Sequence, residues 1–377
     1  MHFSDSISGD PTGLTSRGCW EAKRRIAAAL KTDPQSVDLK SYEVDLSGWA
    51  FHGKAAVGGK RVFAKIYLHK FNPPLRRIPR YVTPQTELRL LLHPEETFGG
   101  SVRNEWEKWE YVASASSDVH LPAICGGSAE EGTLVLEELP GVRLDAYVSW
   151  TGWNAPKNRR ARGVISRAAA WLGSVHRSSF SGVESVSPRD MLQTVRSILT
   201  MTDLDSSRYG DLALEILNDY VNNLHPPDLA VPTCLCHGDF CLANIMWDAR
   251  SDRLSVFDLE HSVFGNVLHD LCNLVFNLRA QLLYPFTSAA VVKALEGAFW
   301  EGYGTTADGI VAAVNALATA RLFYFLLPRH TSRRERHGWM GGLESALYGR
   351  WFEPAMIERT LQSLQWFNPA PRELVRV

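Results

Sequence analysis

One polar run constrains this 377-residue chain more than any other feature: His237-Gly238-Asp239-Phe240-Cys241-Leu242-Ala243-Asn244, followed by Phe257-Asp258-Leu259-Glu260. Between them, Asn244-Ile245-Met246-Trp247 and Leu254-Ser255-Val256-Phe257 read as a short hairpin with a turn over Asp248 to Asp252. A carboxylate and an amide, Asp239 and Asn244, therefore stand five apart on one loop, and a second carboxylate, Asp258, ends the next strand. This spacing lets three oxygen-bearing side chains face one cavity, with an apolar strand fixing the backbone behind them. Phosphoryl transfer needs such a set: a carboxylate that orients an attacking hydroxyl and accepts its proton, and oxygen ligands for Mg²⁺.

The length suits two lobes better than one small core. Hydrophobic residues make up 45% and charged residues 21%, an ordinary globular balance, and the formal net charge of −1 argues against a nucleic acid or an acidic membrane as partner. The six cysteines, Cys19, Cys125, Cys234, Cys236, Cys241 and Cys272, show no disulfide-like spacing, which points to a reducing cytoplasm. A zinc site among Cys234, Cys236, His237 and Cys241 fits no familiar ligand pattern, so buried thiols are expected there. The polar start of the chain carries no signal-peptide pattern. The most apolar stretch, 310–327, holds Asn315, Thr319 and Arg321, so it reads as a buried helix and not a membrane span.

Along the chain, residues 1–17 read as loose and Trp20 to Leu30 as a short helix. Tyr42 to Leu46 alternates like a strand. Lys54 to Val57 and Arg61 to Tyr67 form a predicted hairpin about Gly58-Gly59. Residues 70–100, with five prolines and Arg76, Arg77 and Arg80, read as an irregular insertion. Helices are predicted over Arg103 to Ala113, Arg159 to His176, Met191 to Leu199 and Leu212 to Leu224, and a strand at Leu134 to Leu136.

The catalytic-loop segment resembles the aminoglycoside phosphotransferase and choline kinase superfamily, relatives of the protein kinases, in which H-G-D-x-x-x-x-N precedes a strand ending D-x-E and a later D-L, here Asp270-Leu271. The resemblance implies an α+β, bilobal protein-kinase-like fold. It has a small antiparallel-sheet N-lobe over 39–138 and a larger, mainly helical C-lobe over 139–377, after an N-terminal extension over 1–38. It implies ATP and Mg²⁺ as cofactors, Asp239 as base within a catalytic set that includes His237, and Asn244 and Asp258 as metal ligands. Asp270 would anchor the loop. Val62-Phe63-Ala64-Lys65-Ile66-Tyr67 looks like the kinase strand whose lysine bridges phosphates, so Lys65 takes that role. Its carboxylate partner is expected to be Glu105, with Glu107 as the rival. Leu134 to Gly141 looks like the hinge, with backbone groups of Glu137, Glu138 and Leu139 meeting adenine. Ser47 and Gly48 stand where a phosphate-covering loop belongs, although G-x-G-x-x-G is absent.

The implied acceptor is a hydroxyl on a small molecule such as an aminoglycoside or other antibiotic, a sugar or an amino alcohol. Glu260, Asp270, Trp339 and Trp351 are acceptor-site candidates. Two alternatives stay open: a kinase of a lipid-linked or envelope glycan sugar, to which Arg76, Arg77, Arg80, Arg333, Arg334 and Arg336 could contribute, and a nucleotide-binding pseudokinase. Asp258-Leu259-Glu260 in place of D-F-G argues against a protein-serine kinase. Oligomeric state is not legible.

Overall fold

Period-2 alternation builds the first half of the molecule. The computed structural model describes residues 6–9, 16–45, 50–67, 101–115, 119–148, 155–187, 218, 228–283, 287–304, 306–319 and 322. It divides into a sheet unit (His2–Gly141 with Met246–Ser262) and a helical unit (Val142–Ile245 with Val263–Val377).

In the sheet unit, β1 (Ser6–Gly9), β2 (Val37–Asp45), β3 (Ala50–Val57), β4 (Lys60–Tyr67), β5 (Ile124–Ser128) and β6 (Thr133–Glu137) form one sheet in the order β1-β2-β3-β4-β6-β5. All its pairings are antiparallel. The expected hairpin is present: Val57 faces Lys60 across Gly58-Gly59, and Lys65 faces His52. Helix α1 (Ser16–Leu30) is amphipathic and buries Ala22, Ile26, Ala27 and Ala29. These residues share one cluster with Leu39, Phe51, Val62, Ala64 and Ile66. Each large aliphatic side chain buried there contributes roughly 1.5–3 kcal/mol.

Successive strand residues point to opposite faces. With Ala64 and Ile66 committed to the α1 side, Lys65 and Tyr67 project together from the other face. Helix α2 (Ser101–Ala115) follows. Residues 6–9, expected to be loose, instead pair with β2 at the sheet edge.

In the helical unit, α3 (Leu144–Val148) precedes α4 (Ala155–Ser178). A three-stranded antiparallel sheet joins β7 (Gly182–Val186), β8 (Leu229–Cys236) and β11 (Val263–Asn266), with β8 central. The hairpin strands β9 (Ile245–Asp248) and β10 (Arg253–Val256) lie between β8 and β11 in sequence but, from Met246 on, belong to the sheet unit. Helix α5 (Leu268–Arg279) is buried along almost its whole length, and α6 (Ala289–Tyr303) is capped by the Ser288 hydroxyl, which accepts from Val291 N–H.

Residues 308–319 are helical, and Ala313, Val314, Ala316 and Ala318 are buried. Two of the polar residues that argued against a membrane span, Asn315 and Thr319, have a partner, and the third, Arg321, lies outside the described residues. Fully buried Arg279 makes a two-pronged ion pair with Glu296 and donates to Asn315 O, Asn315 Oδ1 and Thr319 Oγ1. No described helix is long and apolar enough to cross a membrane. The predicted helix at 191–199, all of the predicted helix at 212–224 but the helical Asn218, the 70–100 insertion, Ser47, Gly48, Trp339, Trp351 and the arginines at 333, 334 and 336 lie outside the described residues.

Candidate active site

The sheet unit gathers four charged side chains. Lys65, buried on β4, places Nζ 2.5 Å from Asp258 Oδ1, 2.9 Å from Glu260 Oε2 and 3.6 Å from Glu105 Oε2. Burial works against the ammonium charge, but Asp258, Glu105 and Glu260 outweigh it and hold Lys65 well above its ordinary pKa. Glu105 is fully buried on α2, whereas Glu107 is exposed. Burial pushes Glu105 up to about 7, opposed by Lys65 and reinforced by Asp258 and Glu260. Its Oε2 accepts from the Tyr67 hydroxyl at 2.8 Å, while Oε1 is buried with no hydrogen-bond partner.

Asp258 itself has φ +69°, a left-handed conformation that costs a non-glycine residue about 1 kcal/mol or more. The strain accompanies a carboxylate turned onto Lys65. Glu260 also pairs through Oε1 with His261 Nε2 at 2.9 Å.

The segment read from the sequence as a hinge carries ion pairs. Glu138 accepts two bonds from Arg61 at 2.7 Å and lies 3.4 Å from Lys54, while Glu137 meets His120 at 2.9 Å. Burial would raise the Glu138 pKa, but Arg61 and Lys54 bring it below its ordinary value. Glu137 N–H donates to Ala123 O and Glu138 N–H to Arg61 O.

The helical unit carries the loop after β8. Gly238 adopts φ +82°, open to glycine at little cost, which turns the chain between His237 and Asp239. Asp270, fully buried on α5, accepts from His237 N–H at 2.7 Å, Gly238 N–H at 2.9 Å and His176 Nε2 at 3.1 Å. Burial would raise its pKa, but His176, with His237 and His269 nearby, holds it below the ordinary carboxylate value. The other ring nitrogen of His176, Nδ1, lies in hydrogen-bond contact with Tyr303 Oη at 2.9 Å.

The His237 ring is buried near Trp171 and Phe240, and its Nδ1 accepts Asp239 N–H at 3.3 Å. That geometry shapes the loop and keeps the imidazole in the core.

Asp239 is partly exposed and held by amides. Asn244 Nδ2 donates to its Oδ2 at 3.0 Å and to its backbone O at 2.9 Å; Asn273 Nδ2 donates to Oδ1 at 2.8 Å. Sequence reasoning missed Asn273. A signal existed: Asp270 and Asn273 stand three apart on α5 and so share a helix face. Cys234 and Cys236 gather with His176, not His237, but both His176 ring nitrogens already have the partners given above.

The family model described as the phosphotransferase enzyme family matches residues 92–309, more than half of the chain. The chain belongs to that family. No curated protein matches it in sequence.

Among solved structures, the phosphotransferase is similar to a putative aminoglycoside phosphotransferase from Ralstonia eutropha, at 11% identity and TM-score 0.53, covering 94% of this chain and 99% of that one. It is also similar to the amicoumacin kinase hAmiN, solved with AMP-PNP, Ca²⁺ and Ami, at 14% identity and TM-score 0.51, covering 92% and 93%. At these identities the likeness shows the fold: α+β and kinase-like, an antiparallel-sheet part followed by a helical part.

Proposed function

We propose that this phosphotransferase moves the γ-phosphoryl group of ATP to a hydroxyl of a small molecule, with Asp239 as base and Asn244 and Asp258 as Mg²⁺ ligands. The carrying observation is the Asp239 carboxylate. Both its oxygens accept from amide N–H groups that have no proton to exchange near neutral pH. The amide donors hold the carboxylate in place, which suits a group that orients a hydroxyl and takes its proton.

The sheet unit suits the metal and the triphosphate by its donor chemistry. Oxygens of Glu105, Asp258 and Glu260 lie within 4.8 Å of one another around a single lysine, and one buried oxygen of Glu105 has no partner. Hard oxygen donors with excess negative charge fit Mg²⁺. Bound there, the cation would neutralise charge on the phosphates. Lys65 supplies a point charge for the same groups. With the N–H groups of Glu137 and Glu138 already engaged, the hinge donor to adenine is assigned to Leu139. The free thiols support a reducing, cytoplasmic setting.

Calorimetric titration with Mg·ATP should give saturable binding that Lys65→Ala weakens severalfold; binding unchanged in the variant contradicts the role of Lys65. In turnover, Asn273→Ala removes a hydrogen bond to a charged group. Such bonds are worth about 1.5–3 kcal/mol, so kcat should fall roughly 10- to 100-fold. The KM for nucleotide should stay near wild type, because Asn273 touches the base. A rise in nucleotide KM with kcat unchanged would remove Asn273 from the catalytic loop's support.

A further inference from the structure

We infer that Tyr67 is a positioning residue for nucleotide binding: its hydroxyl supplies the hydrogen bond that orients Glu105 beside the Lys65 ammonium, and it thereby sets how Lys65 is shared among its carboxylates. The inference rests on the reading that Lys65 meets the nucleotide phosphates.

Three observations carry it. Lys65 and Tyr67 are two apart on β4 and project from the same face of the sheet. The Tyr67 hydroxyl donates to Glu105 Oε2 at 2.8 Å, whereas Lys65 Nζ stands 3.6 Å from that same oxygen, beyond hydrogen-bond reach. Lys65 Nζ also lies 5.4 Å from the centre of the Tyr67 ring, within range of a cation–π attraction. Tyr67 thus touches both members of the pair.

Its hydroxyl stays protonated. A phenol carries its proton near neutral pH, and at 2.8 Å it serves as a donor to the carboxylate. Glu105 Oε1 has no hydrogen-bond partner, so the Tyr67 bond is its only hydrogen bond from a side chain among the described residues. Without it, a fully buried carboxylate would keep only the distant ammonium. The least costly response is a shift of Glu105 towards Lys65, which draws the ammonium away from Asp258 and Glu260 and from a bound phosphate.

Tyr67→Phe keeps the ring and removes the donor. With the full-length protein and Mg·AMP-PNP as probe, the dissociation constant should rise about 3- to 10-fold, the size of one buried hydrogen bond. The thermal midpoint without nucleotide should fall modestly, because the buried Glu105 carboxylate loses a hydrogen bond. Glu105→Gln should weaken binding in the wild-type background and add little in the Tyr67→Phe background, because the two side chains act as one unit. Wild-type affinity in Tyr67→Phe, a lowered midpoint without any loss of affinity, or additive effects in the double variant would each overturn the inference and leave the kinase reading standing. Wild-type protein that binds no Mg·nucleotide would overturn both.

Discussion

Asp239→Asn should lower kcat by roughly 10²–10⁴, the scale for removing a positioned general base. The substitution is nearly isosteric, so the loop should keep its shape. Asn244 and Asn273 both present N–H donors to this position, however, and an amide has only one oxygen to receive them. Some loss of stability is therefore expected with the catalytic loss, and the two are separable. Nucleotide affinity, measured by titration, should be largely retained, because the groups assigned to the nucleotide are Lys65 for the phosphates and the carboxylates around it for the metal ion. Asp239→Ala should lose as much rate. A variant with near-wild-type kcat would mean that another group takes the proton.

Asp270→Ala should be the most damaging single change to the fold. Three donors converge on this carboxylate from two places: the backbone of the loop at His237 and Gly238, and the imidazole of His176 on α4. All are buried, so none regains water when the acceptor is deleted. An unsatisfied buried donor costs about 1–3 kcal/mol, and the set should sum to several kcal/mol, a large share of a typical domain's stability. Denaturant unfolding checks this.

The pH dependence gives a second handle. The folded pKa of Asp270 is depressed, so its contribution is present above the ordinary carboxylate pKa and is lost as pH falls through the folded value. Wild type should show that acid limb and Asp270→Ala should lack it. Equal midpoints for the two proteins at neutral pH would contradict the anchoring role.

The loop read as catalytic was legible as a local structure because its information is local. His237 to Asn244 and Asp258 to Glu260 are fixed by spacing within one loop and one hairpin, and the two loop elements, Leu242–Asn244 as a 3₁₀ turn and the β9–β10 hairpin, follow from the same residues. Lys65 is singled out by the likeness of Val62 to Tyr67 to a kinase strand and by its apolar flanks, and the structure buries it on β4. The choice between Glu105 and Glu107 was harder, since each stands in the first half of one amphipathic helix. The structure separates them by burial: Val102, Glu105, Trp109 and Val112 share the inner face, and Glu107 is exposed.

What stayed hidden depends on contacts distant in sequence. Tyr67 looked like one more aromatic strand residue until Glu105, 38 residues later, met its hydroxyl. Asn273 gained meaning only when Asp239, 34 residues earlier, was found against it. Strand β5 was invisible for a different reason. Cys125-Gly126-Gly127 has poor strand propensity, yet the fold requires glycine there. A Cβ at Gly126 would stand 2.3 Å from Ala29 O on α1, and one at Gly127 2.7 Å from the Trp106 ring on α2. Strand β1, Ser6–Gly9, is short and polar and forms only because β2 offers it an edge.

The most direct test of phosphoryl transfer with Asp239 as base is to incubate the protein with ATP, Mg²⁺ and pooled hydroxyl-bearing small molecules, and to follow phosphate esters by mass spectrometry. The prediction is a new phosphorylated acceptor with wild type that is all but absent with Asp239→Asn. Equal product from both proteins would contradict it.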